Sequence, residues 1–323
     1  MKAIVYTQHG SEDVFQLKEI TTPTAADDQI LIKVFAASVN PLDWKTMRVP
    51  SIIRLMSGGR LTTKNKVLGV DIAGRVEAVG KDVKQFRPGD EVFGVKGFAA
   101  GAFAEYVCTV ADKLALKPAN ISFEDAASVP VAAITALQGL RDKGRIQPGQ
   151  RVLIDGASGG VGTFAIQIAK SFGAEVTAVC STRNVGTARL IGADHVVDYT
   201  REDFTKSGQR YDLIMAANAY HSIFDYKRAL SQDGIYVMAG GGLVYILEFL
   251  LLAPFLSLIG SKKMRFFIAK IQKNDLVLLR DLLEAGKVVP VIDRRYPLTG
   301  VAEALRYLEE GHAQGKVVIT VER

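Results

Sequence analysis

The stretch RVLIDGASGGVGTFAIQIAKSFGAEVTAVCSTR, residues 151–183, sets an apolar run, a glycine-rich loop and a helix-like run in succession. RVLID reads as a buried strand, being short, β-branched and bounded by glycine. In the run after the loop, Ala165, Ile168, Ala169 and Phe172 share one helical face, and Gly173 offers a C-cap. Between the two, Ala157-Ser158-Gly159-Gly160-Val161-Gly162 matches the dinucleotide pattern G-x-G-x-x-G with alanine in the first place. Such a loop permits a tight turn, lets backbone approach a pyrophosphate, and packs helix closely on strand, while the helix N-terminus attracts the phosphate charge. The plain alternative is a glycine turn that only packs the helix. The strand before the loop, the helix after it and a second strand, EVTAVC, at the right distance favour the nucleotide.

The end of that second strand selects the nucleotide. An NAD site carries Asp or Glu about twenty residues past the glycines to bond the ribose 2'-hydroxyl, and VCSTRN has neither. Ser181 can donate a hydrogen bond and Arg183 can pair with a dianionic 2'-phosphate, so NADP(H) is expected.

Strand and helix candidates continue to alternate beyond this point. HVVDY, YDLIMAA and GIYVMAG add apolar strands, which predicts an α/β domain with a doubly wound parallel sheet of the Rossmann type. Upstream, Ser122 and Asp125 in SFED offer a capping box ahead of an alanine-rich helix that Pro130 should interrupt. The first third reads differently. KAIVY, QILIKVFAASV, DIAGRVEAVG, DEVFGV and FAEYVCTV are short β-rich runs separated by turns such as RPGD, as in a small barrel or sandwich. Near the end, a helix from about Val301 to Glu310 precedes a strand, Lys316 to Val321, expected to return to the first domain.

Composition narrows the function classes. The chain has 323 residues, 48% of them hydrophobic, enough for a large core divided in two. A net charge of +6 suits an anionic ligand, but the basic residues are scattered rather than grouped in runs, so no nucleic-acid partner is expected. Two cysteines, Cys108 and Cys180, form no disulfide framework, and the opening MKAIVYTQHG lacks the regions of a signal peptide. A reduced, cytoplasmic setting is therefore expected.

Four further stretches occur in a recognisable order: ASVNPLDWK at 37–45, VLGVDIAGRVEAVG with FRPGDEVFG at 67–94, GAFAEYV at 101–107, and GASGGVG with IGADHVVDY at 156–199. With them the sequence resembles the medium-chain dehydrogenase/reductases, specifically their zinc-independent quinone oxidoreductase and enone reductase group. The resemblance implies a GroES-like, β-rich catalytic domain formed by 1–121 and 290–323, a Rossmann NADP(H)-binding domain over 122–289, and an active site in the cleft between them. A homodimer is also the family expectation.

The resemblance places Asn40, Asp43 and Lys45 beside the nicotinamide, with Thr135 and the backbone of Ala239, Gly240 and Gly241 completing its pocket. Related enzymes often have Tyr where this chain has Lys45, which either bonds the developing enolate or quinol oxygen, pairs with Asp43, or faces solvent. Asn40 is expected to hold its loop through backbone bonds rather than to act directly. Arg183 stands one place before Asn184, where the family commonly has Lys. Tyr199 matches a tyrosine near the 2'-phosphate in similar enzymes, or else closes the third strand.

No metal is expected. A catalytic zinc takes about three Cys, His or carboxylate ligands; where alcohol dehydrogenases place a cysteine this chain has Asn40, and where they place Gly-His-Glu it has Gly69-Val70-Asp71. Without a metal, hydride transfer relies on geometry and on hydrogen bonds to the charge growing on the acceptor oxygen. The expected reaction is NADPH-dependent reduction of a quinone or of the β-carbon of an α,β-unsaturated carbonyl. An alcohol or aldehyde oxidoreductase and a non-catalytic NADPH-sensing binding protein are the alternatives.

One segment stays outside this reading. LVYILEFLLLAPFLSLI, residues 243–259, is strongly apolar but short of a membrane span and broken by Glu248 and Pro254. A dimer interface or an apolar substrate pocket is favoured for it over peripheral membrane contact.

Overall fold

The computed structural model describes residues 1–6, 14–43, 66–96, 101–258 and 260–321. Its Cα framework divides into two units: Met1–Val131 with Ile271–Glu284 and Ile292–Arg323, and Ala132–Lys270 with Ala285–Val291.

The first unit is built from strands whose side chains alternate between core and surface. Strands β1 (Lys2–Tyr6), β2 (Gln16–Glu19), β3 (Gln29–Val39) and β4 (Lys66–Val67) are followed by β5 (Asp71–Val79), β6 (Glu91–Val95), β7 (Tyr106–Val110) and β8 (Leu114–Leu116). In β3, Ile30, Ile32 and Val34 point into the core while Leu31, Lys33 and Phe35 are only half-buried, the period of two that a sheet imposes. β1 pairs with β2 and β4 in a small sheet; β3, β5, β6 and β8 form the body of a larger one, with β7 also on β3.

Helix α1 (Phe123–Ser128) starts with the expected capping box: the Ser122 side chain accepts from the Asp125 N–H, and the Asp125 carboxylate accepts from the Ser122 N–H. Helix α2 (Pro130–Gln138) begins at Pro130, whose missing N–H costs nothing in a first turn.

The second unit holds the alternating elements. In order they are β9 (Arg151–Asp155), α3 (Gly160–Ser171), β10 (Glu175–Cys180), α4 (Val185–Leu190), β11 (His195–Asp198), β12 (Tyr211–Ala216), α5 (Ile223–Ala229), β13 (Leu230–Met238), α6 (Leu243–Leu258) and β14 (Lys263–Phe266). All six strands are parallel, in the order β11-β10-β9-β12-β13-β14. This is the doubly wound dinucleotide-binding order, with its reversal point between β9 and β12.

The chain then returns through α7 (Lys273–Glu284), β15 (Ile292–Pro297), α8 (Val301–Glu309) and β16 (Lys316–Thr320). β16 runs antiparallel to β3, with Val317 opposite Val39, so the final strand joins the first unit's larger sheet.

Two helices move the boundaries of 122 and 289 read from the sequence. α1 packs on β3, β5 and β16, and α7 packs on β8 with Leu276, Leu279 and Leu283 buried, so both belong to the first unit. Apolar contact, not chain order, assigns them.

Candidate active site

In the second unit, the glycine loop closes the step from β9 into α3. Gly156 has φ +74°, a conformation that favours glycine, and a Cβ on Gly162 would lie 2.2 Å from the Gly156 carbonyl oxygen. Gly159 is the N-cap of α3 and supplies no side-chain cap, so the helix presents first-turn N–H groups to a ligand.

The carboxyl ends of the neighbouring strands frame that loop. The Ala217 N–H donates to the Asp155 carbonyl (2.9 Å), the Ala239 N–H to Ala216 (2.9 Å), and the Ala219 N–H to Gly240 (3.0 Å), with Ala219 bridged to Gly241. Residues 239–241 thus border the reversal point of the sheet. Thr135 lies half-buried on α2.

At the end of β10, Ser181 and the exposed Arg183 sit on a single turn. The Tyr199 N–H donates to the Cys180 carbonyl (3.0 Å), which brings exposed Tyr199 beside them. Asn184, standing where the family commonly has Lys, is buried; its Nδ2 donates to Ser181 Oγ (3.0 Å) and its Oδ1 has no hydrogen-bond partner among the described residues. Ser181 therefore keeps its own proton to donate outward. The nearby carboxylate, Asp198, accepts from Thr182 (2.6 Å) and Thr200 (2.7 Å) and pairs with Arg201 (3.5 Å). The Thr182 hydrogen bond leads the effects that hold Asp198 below the usual carboxylate range. An uncapped helix start, a cradle that a Cβ would fill and no carboxylate on the Ser181 turn fit a dinucleotide bearing a 2'-phosphate.

In the first unit, Asn40 and Asp43 close a turn after β3. The Asn40 N–H donates to Asp43 Oδ2 (2.8 Å) and the Asp43 N–H returns to the Asn40 carbonyl (2.9 Å). The Asn40 amide is clamped between opposite charges: Nδ2 donates to Asp71 Oδ2 (2.9 Å), and Oδ1 accepts from Lys316 Nζ (2.8 Å). Asp71 also accepts from Ser38 Oγ (2.7 Å) and from the Val131 N–H at the start of α2 (3.0 Å), and lies 3.6 Å from Lys316 Nζ.

All of these side chains are buried. Burial raises Asp43 to about 7, and the Asp71 charge adds to it against hydrogen bonds from the backbone of Asn40 and Gly69 and against the Lys316 charge. Burial likewise lowers Lys316, opposed by Asp71 and Asp43. The structure brings Asn40 and Asp43 together as expected; Lys45 lies outside the described residues. Sequence reasoning passed over Lys316 and saw Asp71 only as a missing zinc ligand. Each charge opens a strand, Asp71 in DIAGRV and Lys316 in KVVIT, and neither alone signals burial.

Among the described residues no three His, Cys, Asp or Glu side chains converge as a metal would require. His195 pairs with Glu175, and His221 packs against the rings of Phe204 and Tyr226.

Comparison with known proteins agrees with this arrangement. The alcohol dehydrogenase GroES-like domain family matches residues 26–119, and the zinc-binding dehydrogenase family matches residues 191–319. A 2-methylene-furan-3-one reductase of Solanum lycopersicum is 37% identical over 99% of this chain and 79% of its own length. An NADPH-dependent alkenal/one oxidoreductase of Arabidopsis thaliana, described as chloroplastic, is 35% identical over the same shares. The solved quinone oxidoreductase of Coxiella burnetii superposes with a TM-score of 0.86 at 31% identity, covering 100% of this chain and 99% of that one. Relatives of this likeness, together with the parallel sheet and its glycine loop, mean that the chain belongs to the medium-chain dehydrogenase/reductase superfamily, in its zinc-independent quinone oxidoreductase group.

Proposed function

We propose that this protein is a zinc-independent, NADPH-dependent reductase that passes a hydride to a quinone or to the β-carbon of an α,β-unsaturated carbonyl. The observation that carries the cofactor is the end of β10, where Ser181 and Arg183 stand without a carboxylate on their turn. Bound NADPH would supply the hydride. The loop 157–162 would hold the pyrophosphate on the α3 N-terminus, and Ser181, Arg183 and Tyr199 would receive the 2'-phosphate.

In this reading Thr135 and residues 239–241 of the second unit would hold the nicotinamide, and Asn40 and Asp43 of the first unit are the candidate catalytic residues. Asn40 positions the turn, since both ends of its amide are already held. Asp43, raised to about 7, can take or give a proton at neutral pH. Lys45, two residues on, is the candidate donor to the reduced acceptor's oxygen. The reading extends to a homodimer in a cytoplasmic setting.

The test is oxidation of NADPH and NADH, followed by absorbance, with a benzoquinone, a naphthoquinone, an enone, an enal and a simple aldehyde, each with and without chelator. Chelator-insensitive turnover of NADPH with a quinone or enone is expected; bound NADPH without turnover of any acceptor overturns the reductase reading. In the active enzyme, Arg183→Glu should raise the KM for NADPH at least about tenfold, one charge-assisted contact becoming a repulsion, and leave that for NADH nearly unchanged. Equal changes for both cofactors would remove Arg183 from the 2'-phosphate site.

A further inference from the structure

Helix α6 has a single charged side chain, Glu248, in sixteen residues. Its inner face is ordinary: Phe249 and Ala253 are buried in a cluster with Tyr236 and Met264. Its outer face is not. Positions 243, 244, 247, 250, 251, 254, 255 and 258 follow the helical repeat and are all exposed and all apolar. The large side chains among them, five leucines with Val244 and Phe255, are 51% to 83% exposed. A surface helix ordinarily turns its polar residues outward. This one holds an apolar stripe of about 24 Å toward solvent, at 1.5 Å per residue, and no described helix is long and apolar enough to cross a membrane.

The two ends of the stripe differ. At the amino end, exposed Tyr220 follows Ala219, which is bridged to Gly241, and exposed Phe224 sits on α5, which packs against α6. At the carboxyl end, cations gather. Lys262 Nζ donates to the Lys227 carbonyl (2.8 Å), and Lys263 Nζ to the Ser257 carbonyl (3.0 Å). After burial, the charges of Arg210 and Lys227 are what lower Lys262, so each of these two cations acts on Lys262.

We propose that this face docks on an anionic lipid bilayer, with α6 lying in the plane of the interface. The leucines enter the acyl boundary, Tyr220 and Phe224 lie at headgroup depth, and Arg210, Lys227, Lys262 and Lys263 meet lipid phosphates. Two observations choose lipid over protein. The stripe itself offers no hydrogen-bonding side chain, and Tyr220 and the cations stand only at its ends, as on an interfacial helix. A second copy laid on it about a twofold axis would present the same stripe and the same cations, with Glu248 the one negative charge of α6 to set against them.

Flotation of the full-length protein with vesicles of phosphatidylcholine containing about one third phosphatidylserine, and with phosphatidylcholine alone, tests this directly. The wild type should float with the anionic vesicles and bind them about tenfold more tightly than the neutral ones. Leu247→Glu with Leu251→Glu should abolish flotation while near-ultraviolet circular dichroism shows an intact fold, and Lys227→Glu with Lys263→Glu should remove only the preference for anionic lipid. Wild type that stays at the bottom of both gradients overturns the proposal. So does equal flotation of the wild type and the Leu247/Leu251 variant. Loss of flotation accompanied, in lipid-free sedimentation velocity, by conversion of a wild-type dimer into a monomer would assign the stripe to a second copy instead.

Discussion

Two buried carboxylates anchor the two units in different ways. Asp71, in the first, is held by a cation: Lys316 lies 3.6 Å away, and Ser38, Asn40 and the Val131 N–H supply three further donors. Asp155, in the second, ends the strand before the glycine loop and is held by the neutral Tyr226 hydroxyl; burial outweighs that bond, the His221 charge and the Gly156 backbone bond, and raises its carboxyl to about 6. A charged partner ties a carboxylate into a network that must be kept whole. A neutral partner leaves it free to change charge near neutral pH. Asp43 shares features of both, being near the Lys316 charge yet directly bonded only to backbone, and burial raises it to about 7.

The largest test of this difference is removal of the cation. Lys316→Met leaves Asp71 and Asp43 buried without the cation's charge, which should cost about 3–5 kcal/mol in denaturant unfolding. Adding Asp71→Asn removes one of the stranded charges, so the double variant should lose less than the sum of the two single variants. A cost below about 1 kcal/mol for Lys316→Met would mean that the clamp on Asn40 does not depend on charge.

Asp43→Asn should act with the opposite sign above neutrality. Because the folded state raises this carboxyl from 3.8 to about 7, folding favours its neutral form; the stability is intact below about pH 4 and is lost as pH rises through 7. The amide cannot ionise, so the variant should be more stable than wild type by on the order of 2–4 kcal/mol at pH 8 and equal to it at pH 4. If Asp43 exchanges the catalytic proton, the same variant should lose kcat and the ionisation near pH 7 from its rate profile, with KM for NADPH little changed.

Legibility in the sequence followed the range of the interactions. The glycine loop, the Ser122–Asp125 capping box and the alternation in β3 depend on neighbours a few residues apart, so spacing alone exposes them. Strand β14 escaped because KMRF is short and half of it is cationic, and only pairing with β13 makes it a strand. Asp71 and Lys316 lie near opposite ends of the chain, and each alone reads as an ordinary surface charge. The antiparallel pairings of β3 with β5 and with β16 bring them together beside Asn40. A site made by sheet register has no local signature, whereas a loop that holds a phosphate carries its pattern in one stretch.

The smallest effect probes the neutral partner. Tyr226 is buried, stacks on Tyr236 with ring centroids 4.3 Å apart, and donates its hydroxyl proton to Asp155; that hydroxyl is itself pushed well above its ordinary range by burial and by the carboxylate, so it remains a donor. Phenylalanine at this position keeps the stacking and removes the bond to Asp155 together with the one the hydroxyl accepts from the Tyr220 N–H (3.2 Å), whose loss does not depend on pH. At pH 4 the bond to Asp155 joins two neutral groups and its loss should cost about 1 kcal/mol; at pH 8, with Asp155 ionised, it is charge-assisted and should cost about 2 kcal/mol. The Asp155 carboxyl should also titrate higher in the variant, because the donor that favours its charged form has gone. A cost independent of pH would show that Asp155 keeps one charge state throughout, and the contrast with the Lys316 network would then rest on packing rather than on ionisation.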